Sequence, residues 1–250
     1  SFDDEKREML GSKLVERLRA LELTSYLDYY YLLKYGPGSE EEWPRLTDAL
    51  SVQETYFWRE FEHVRVLVDI LVPQHIAARR GPVRVWSAAC ATGEEPLSIV
   101  IALNEAGWFD RADVQVWASD VSPAALEKAR RGVYRERSFR ALPPELREKY
   151  FAPVEGGWRV APNLLSLITF QSANLLDPVD TSTLATAPFI FCRNVFIYFS
   201  AATVARVVKS FAERMPAPGY LFPGVSESLL RATTAFQLEE IGKTFVYVKR

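Results

Sequence analysis

The sequence predicts an α/β fold in which a small all-helical region precedes a doubly wound, mostly parallel β-sheet. No strand pattern appears before Gly81, and short apolar runs alternate with helical patterns after it. The chain then closes on two strand patterns around Gly242. We therefore expect a helical domain and linker over residues 1–73 and an α/β domain over residues 74–250.

The first part of the chain is predicted to be helical. Leucines recur at helical spacing, at Leu10, Leu14, Leu18 and Leu21. An aromatic run from Tyr26 to Tyr35 follows, and the turn Gly36 to Ser39 interrupts the pattern. Further helical patterns cover residues 40–50 and the stretch from Glu60 towards Arg80. This region should therefore form a small helical bundle and a helical linker.

After Gly81, strand and helix patterns alternate as in a parallel sheet with crossover helices. The predicted strands are Val83 to Ala88, Val114 to Ala118, Leu167 to Ser172, Phe189 to Cys192 and Tyr220 to Phe222. The predicted helices are Glu94 to Ala106, Pro123 to Arg131 and Ala201 to Met215. The closing hairpin pairs Phe236 to Ile241 with Thr244 to Val248. A seven-stranded sheet of this kind matches the class I methyltransferase architecture better than a dinucleotide-binding dehydrogenase.

The alternation lapses over residues 133–166, which we interpret as an insertion. This stretch is rich in arginine, contains a short helix from Pro144 to Phe151, and then a hairpin pattern from Val154 to Val160. It is predicted to form a small β-subdomain.

Composition excludes several classes of function. Thirty basic and 32 acidic residues give a net charge of −2, so no global field favours nucleic acid. No apolar run reaches the roughly 18 residues that span a bilayer, and the N-terminus lacks a signal-peptide pattern, so we expect a cytoplasmic protein. Cys90 and Cys192 are expected to be reduced thiols. His63 and His75 lack metal-ligand spacing, so no metal is expected.

The loop after the first predicted strand has the composition of a ligand-binding turn. Residues 88–93 are small, which allows a ligand to approach the backbone before the helix that starts at Glu94. An acid at this helix end favours a cationic or zwitterionic ligand over a pyrophosphate. The alternative is a tight turn in which Glu94 and Glu95 only complement the helix dipole.

Polar residues follow the next strands. Asp120, at the end of the second strand, is placed to accept hydrogen bonds from both hydroxyls of a ribose. The alternative role, capping the next helix, suits Ser122 better because Pro123 follows it. Asn174 lies where an adenine edge could be read. Arg193 and Asn194 would need partners when buried, and a ligand would supply them.

Five stretches resemble, in the same order, the motifs of the CheR family of methyltransferases. They are Gln53 to Arg59, Arg84 to Pro96, Ala118 to Asp120, Phe191 to Phe199 and Gly224 to Ser228. The resemblance covers almost the whole chain. It implies a helical N-terminal domain and a class I methyltransferase domain with a β-subdomain. It also implies binding of S-adenosylmethionine (SAM), release of S-adenosylhomocysteine, and esterification of glutamates on chemotaxis receptors.

The resemblance further implies roles for single residues. Thr55 and Arg59 would reach the cofactor from the N-terminal side, Glu94 would hold the methionine amino group, and Asp120 the ribose. The other implied cofactor contacts are Gln53, Ala88, Asn174, Leu175, Asn194 and Val195. The sequence departs from the family pattern at Gln53, Trp58, Leu97 and Val225. These departures bear on the fit of the substrate more than on cofactor binding.

The implied reaction needs no general base, because a glutamate carboxylate is already anionic near pH 7. The protein can align the reactants, exclude water and hold the acceptor carboxylate lightly. Tyr198 is the candidate for this hold, with Arg59 or Arg193 as charge partner. The alternative for Tyr198 is a core tyrosine bonded to the backbone. Tight pairing by arginine would stabilise the ground state, so at most one such contact is expected.

The expected partner is the helical cytoplasmic region of a chemoreceptor or a related signalling protein, bound by a monomer. Lys13, Arg17 and Arg19 either meet an acidic receptor helix or form a solvated face. Exposed aromatic side chains around Trp158 are a candidate docking site for a receptor's tethering peptide.

Three other functions compete with this interpretation. A nucleic-acid amino-methyltransferase would need a proline after Asn194 and a basic footprint, and the sequence has neither. A sensor or scaffold would bind SAM without transferring a methyl group. A nicotinamide dehydrogenase would need the Gly-x-Gly-x-x-Gly turn, which is lacking.

Overall fold

The computed structural model describes residues 4–50 and 54–250. Its first three helices are α1 (Asp4–Ala20), α2 (Tyr26–Tyr35) and α3 (Ser39–Leu50). They pack around the buried side chains of Leu18, Tyr29 and Leu46. The leucine spacing and the break at Gly36 thus located these helices correctly.

A buried ion pair joins the three helices. Glu42 is 1% exposed, and its carboxylate accepts hydrogen bonds from Arg17 Nε at 2.8 Å and Nη2 at 2.7 Å. The Tyr29 hydroxyl donates to the same carboxylate at 2.8 Å, and burial together with this contact raises the pKa of Tyr29 to about 12. Lys13 Nζ donates to the carbonyl of Leu50 at 3.2 Å.

This network corrects the prediction of a basic face on α1. A buried carboxylate needs a cation, so Arg17 turns inward to Glu42. Lys13 is bonded within the bundle. Arg19 is the one of the three predicted cations that is exposed.

The helical linker is irregular at its centre. It consists of α4 (Glu62–Val66), a π-helical turn (Leu67–Leu71) and α5 (Val72–Ala77). Apolar periodicity predicted the helix but not the π turn, since one extra residue in a turn changes that pattern little. Val64 and Leu67 are buried in the main core.

The α/β domain follows the predicted alternation closely. Its helices are α6 (Glu94–Glu105), α7 (Pro123–Arg131), α8 (Pro144–Tyr150), α9 (Pro162–Leu165) and α10 (Ala201–Arg214). Its strands are β1 (Val83–Ala88), β2 (Val114–Asp120), β3 (Val133–Tyr134), β4 (Phe151–Val154), β5 (Gly157–Val160), β6 (Ile168–Ser172), β7 (Phe189–Cys192), β8 (Gly219–Pro223), β9 (Gln237–Ile241) and β10 (Thr244–Lys249).

The main sheet has seven strands in the order β6-β2-β1-β7-β8-β10-β9. The pairs from β6 to β8 are parallel, and β10 runs antiparallel to both β8 and β9. This confirms the predicted parallel sheet with a C-terminal antiparallel hairpin. The chain adds strands to one side of β1 and then to the other, so β1 and β7 flank a topological switch point. Ligands of open parallel sheets bind outside the carboxyl ends of the strands at such a point.

The insertion forms a second, three-stranded sheet in the order β3-β5-β4. The pattern predicted the β4-β5 hairpin, whereas the two-residue strand β3 is too short to give an alternating pattern. Trp158 is half-buried, because the Arg147 guanidinium lies over its ring at 4.0 Å from the centroid. The predicted exposed aromatic surface is therefore partly covered.

The helical bundle contacts the α/β domain beside β2. Asp48 Oδ1 of α3 accepts hydrogen bonds from Ser122 Oγ at 2.5 Å and from the Ala124 backbone N–H at 3.3 Å. Both donors lie at the start of α7. Among the described helices, none is long and apolar enough to cross a membrane.

Candidate functional site

A cleft opens at the switch point between β1 and β7. The cleft is open to solvent, and its empty space, counted with the open side, is about 560 Å³. We call it the switch-point cleft, and its lining includes Thr55, Arg59, Ala89, Cys90, Ala91, Glu95, Arg193 and Asn194. Residues from the bundle linker, the loop after β1 and the loop after β7 therefore meet at one place, as expected for a ligand site of this fold.

The loop after β1 is wound tightly enough to expose its backbone. Ala89, Ala91 and Gly93 all have positive φ angles, of 57°, 48° and 93°. At Gly93 a Cβ atom would lie 2.9 Å from the Cβ of Ala129, so glycine is needed there for packing as well as for conformation. The small residues seen in the sequence thus allow a turn that larger side chains would block.

Asp120 closes this loop from the end of β2. Its carboxylate accepts hydrogen bonds from the N–H groups of Ala91 and Ser122, both at 2.9 Å. Ser122 caps α7 through its hydroxyl, which accepts from the Ala125 N–H at 3.0 Å, so capping is not the role of Asp120. Burial raises the pKa of Asp120. Its carboxylate forms no ion pair with a side chain in residues 10–50 or 54–250.

The two glutamates at the start of α6 face different clefts. Glu95 lines the switch-point cleft, accepts a hydrogen bond from Ser87 Oγ at 2.6 Å, and pairs with Arg193. Glu94 is buried and accepts from Thr92 Oγ1 at 2.6 Å and Ser138 Oγ at 2.9 Å. Burial raises the pKa of both carboxyl groups.

The sequence pointed to Glu94 as the ligand and gave Glu95 only a helix-dipole role. Successive residues of a helix point about 100° apart, so one of the two must turn away from the switch-point cleft. No local sequence pattern shows which of the two glutamates turns away, because this depends on the position of β7. In the structure Glu95, and not Glu94, lines this cleft.

Arg193 differs from its predicted arrangement. Its guanidinium pairs with Glu60 and Glu95, each at 3.1 Å, and donates to the Arg59 carbonyl at 2.5 Å. A ligand was expected to supply its partners, whereas the protein itself satisfies most of them. Within the described part of the chain only its Nε lacks a hydrogen-bond partner. Arg193 therefore joins the linker, β7 and α6.

The other predicted residues from the N-terminal side approach the same cleft. Arg59 is half-buried, donates from Nη1 to the carbonyl of Glu54 at 3.0 Å, and lies over the Tyr56 ring. Thr55 lines the switch-point cleft and a neighbouring one. Gln53 lies outside the described residues.

One carboxylate that the sequence reasoning missed holds the loop after β7. Glu227 is 7% exposed and accepts hydrogen bonds from the N–H groups of Asn194 and Gly224, both at 2.7 Å, and of Ile197 at 3.1 Å. Asn194 has a φ of 58°, in the left-handed region that asparagine adopts more readily than most residues other than glycine. The Gly224 to Ser228 motif contained this signal, but only the fold shows what Glu227 binds.

Tyr198 stands at the end of this loop and is 58% exposed. Its hydroxyl has no hydrogen-bond partner among the described residues. It is therefore not the backbone-bonded core tyrosine that was the alternative. Ile197 beside it is 54% exposed, so this side of the loop faces solvent.

The remaining predicted residues lie around the cleft and not in its lining. Ala88, Leu175 and Val195 belong to one apolar cluster. Asn174 is exposed in the loop after β6, where its Oδ1 accepts from the Leu176 N–H at 3.0 Å. In the described ranges no group of three or more histidines, cysteines or acids is arranged to hold a metal.

The donor set of this edge fits a cationic nucleoside cofactor. Asp120 is a desolvated carboxylate without an ion-pair partner among the described side chains, and Glu95 shares Arg193 with Glu60. Burying unpaired negative charge is costly, and a bound ammonium or sulfonium group would offset that cost. The tight loop of residues 88–93 leaves the space that such a ligand needs.

Comparisons with known proteins agree with this geometry. Two family models match, described as CheR methyltransferase, SAM binding domain, over residues 53–245 and CheR methyltransferase, all-alpha domain, over residues 1–51. The chain is 39% identical over 239 residues to a chemotaxis protein methyltransferase of Klebsiella aerogenes, which covers 93% of this chain and 79% of that protein.

Two further relatives extend the match. A chemotaxis protein methyltransferase of Escherichia coli K12 is 38% identical over 241 residues, covering 94% of this chain and 81% of that protein. Chemotaxis protein methyltransferase 2 of Vibrio cholerae is 33% identical over 252 residues, covering 99% and 87%. The chain therefore belongs to the CheR methyltransferase family and is a SAM-dependent methyltransferase.

Proposed function

We propose that this enzyme transfers the SAM methyl group to glutamate side chains of a chemoreceptor, giving glutamyl methyl esters. The relatives named chemotaxis protein methyltransferases support a role in chemotaxis. The observation that carries the proposal is the position of the switch-point cleft. The half-buried Glu95 lines one side, with the buried Asp120 at the end of β2 bonded to the loop that borders the cleft, and Arg59 and the loop that bears the exposed Tyr198 lie on the other side. A receptor helix in the cytoplasm and a monomeric enzyme remain our predictions.

The cofactor contacts are assigned from the resemblance and from the position of each residue. Asp120 would hold the ribose, Asn174 and Leu175 the adenine, and Glu95, in place of Glu94, the methionine amino group. The rest of the site would be formed by Gln53, Thr55, Arg59, Ala88, Asn194 and Val195. When bound, SAM supplies an activated methyl group on a sulfonium centre.

The protein's part in the reaction is alignment. The acceptor carboxylate is ionised near pH 7, so no residue has to remove a proton from it. The Tyr198 hydroxyl would donate to one carboxylate oxygen and leave the other free to attack. Arg59 would supply a diffuse positive charge beside it. Both side chains would also exclude water from the reacting pair.

Arg193 is better placed as a positioning residue than as the charge partner of the substrate. Its guanidinium already lies between Glu60 and Glu95. Burial disfavours ionisation of Glu60, but the adjacent Arg193 holds the pKa of that carboxyl below its usual value. With its charge offset in this way, Arg193 would not bind the acceptor carboxylate tightly and slow the transfer.

Methyl transfer to receptor-containing membranes tests the proposal. Radiolabelled SAM would be incubated with the enzyme and membranes from the source organism, and methanol released by base would be counted. We expect base-labile label that is lost with the Asp120→Ala variant. Base-stable label would contradict glutamate esterification, and cofactor binding without any transfer would favour a sensor.

A further inference from the structure

A second cleft adjoins the first and has the opposite charge. It lies between the end of α7, β3 and the turn of the β4-β5 hairpin, and its empty space, counted with the side open to solvent, is about 1260 Å³. We call it the basic cleft, and its charged lining consists of Lys128, Arg131, Arg135, Arg137, Glu94 and Glu155. Thr55 lines both clefts, so the two are adjacent at that residue.

The three arginines of the basic cleft are exposed, whereas Glu94 on the cleft floor is 3% exposed. Lys128 is also exposed but interacts with another residue. Arg131, Arg135 and Arg137 form no ion pair with a carboxylate of the described residues, although the charge of Arg137 partly opposes the rise that burial causes in the pKa of Glu94. The rim therefore carries an excess of positive charge on a protein whose net charge is −2.

The geometry does not suit a small anion such as phosphate. Compact anions bind at helix N-termini through backbone N–H groups. Here the cleft lies at the C-terminal end of α7, where Lys128 and Arg131 stand in the last turn and Gly132 forms the cap. The carbonyl end of a helix and the buried Glu94 both repel an anion that enters deeply. Negative groups would be held at the rim, by long and separated side chains.

We infer that the basic cleft binds an acidic segment of the methyl-accepting protein, next to the glutamate that is modified. This inference rests on the proposed function. An acidic polypeptide lying along the rim matches spaced cations, and it would pass Thr55 into the switch-point cleft. Charge complementarity of this type raises the association rate and selects the partner.

One consequence concerns the order of modification. Each methyl ester formed on the bound segment removes one negative charge from it. The attraction to Arg131, Arg135 and Arg137 then weakens, so a segment whose neighbouring glutamates are esterified would dock less tightly. The enzyme would therefore favour acceptor sites that lie among unmodified acids.

The test reverses two charges and measures docking separately from catalysis. The variant Arg131→Glu with Arg135→Glu leaves Arg137, which acts on Glu94, in place. The control is Arg206→Glu with Arg231→Glu, which changes net charge equally at exposed residues outside both clefts. The probe is a fluorescein-labelled peptide of alternating alanine and glutamate, followed by fluorescence anisotropy at low salt. The Michaelis constant for receptor-containing membranes is measured alongside.

We expect the cleft variant to weaken peptide binding and raise the Michaelis constant by about tenfold, an effect that shrinks as salt is added. The milder Arg131→Gln with Arg135→Gln should give an intermediate loss, and affinity for S-adenosylhomocysteine should not change. The inference would be overturned if peptide binding did not change in the cleft variant, or if the control variant lost as much binding. It would also be overturned if a uridine oligonucleotide bound more tightly than the peptide, or if the cleft variant lost affinity for S-adenosylhomocysteine. Absence of methyl transfer by the wild-type enzyme would instead count against the proposed function, because the peptide measurement does not depend on it.

Discussion

After β1 and β2 the charged side chains of the site are a half-buried and a buried carboxylate, whereas after β7 and β8 a buried carboxylate holds the backbone and two side chains, Ile197 and Tyr198, are exposed. Asp120 and Glu95 belong to the first half of this edge. Glu227, which binds three N–H groups, and the exposed Tyr198 belong to the second. The first half is therefore suited to bind a positively charged group, and the second half presents side chains to a partner.

Removing the charge of Asp120 tests the first half and should give the largest effect. Asp120→Asn keeps the size of the side chain but weakens its hydrogen bonds to ribose hydroxyls, so affinity for S-adenosylhomocysteine should fall about 100-fold. Isothermal titration calorimetry measures this. Asp113→Asn, at the exposed opposite end of β2, is the matched control. If affinity for S-adenosylhomocysteine fell by less than about threefold, Asp120 would stabilise the loop after β1 without binding the ribose.

Removing the charge of Glu227 tests the second half. Glu227→Gln replaces one acceptor oxygen by an N–H donor facing backbone N–H groups, so the loop of Asn194 to Tyr198 should lose its fixed position. We expect kcat for receptor methylation to fall about 30-fold, and affinity for S-adenosylhomocysteine to change less. Glu240→Gln, on exposed β9, is the control. If kcat and cofactor affinity fell equally, the two halves would not have the separate roles that we assign to them.

Removing the hydroxyl of Tyr198 tests the second half with a smaller change. Tyr198→Phe removes one hydrogen bond to the acceptor carboxylate, so kcat should fall about tenfold while cofactor affinity stays unchanged. Tyr35→Phe, at a tyrosine that is 68% exposed on α2, controls for loss of a surface hydroxyl. Full turnover by Tyr198→Phe would remove this residue from the mechanism.

Lowering the pH is a further test of the first half, and we expect it to have the smallest effect on cofactor affinity. Burial raises the pKa of Asp120 and Glu95, so these acids take up protons as pH falls towards those raised values, and the attraction for a cationic ligand weakens. Affinity for S-adenosylhomocysteine should fall about threefold between about pH 8 and about pH 5.5. Histidines do not explain such a fall, because burial lowers the pKa of His63 to about 4 and also lowers that of His75.

The sign for stability is opposite. A carboxyl group whose pKa is raised by folding binds more protons in the folded state than in the unfolded state, so its contribution to the free energy of unfolding is greatest at low pH and is lost as pH rises through the raised pKa. Asp120→Asn loses one acceptor for the N–H groups of Ala91 and Ser122 at every pH, so its loss of stability relative to the wild type without cofactor should be smaller at neutral pH than at low pH. Thermal unfolding at two pH values measures this, and an unchanged difference between them would contradict the burial argument.

The sequence by itself determined the order and kind of nearly every element. Periodicity located β1, β7 and α7 with their bounds, since these patterns depend on neighbours within one element. The small residues of 88–93 predicted a tight loop, and Ser122 before Pro123 predicted the cap of α7. The motifs in their order identified the family and the cofactor.

Only the tertiary structure decided which side chains meet. Arg193 is bonded to residues 98 and 134 positions away, Glu95 and Arg59. Glu227 reaches back 33 positions to Asn194. Whether Glu94 or Glu95 lines the switch-point cleft depends on β7 lying beside β1, and the basic cleft exists because α7 and the subdomain approach each other. Such pairings are set by the order of strands in the sheet, which no local pattern encodes.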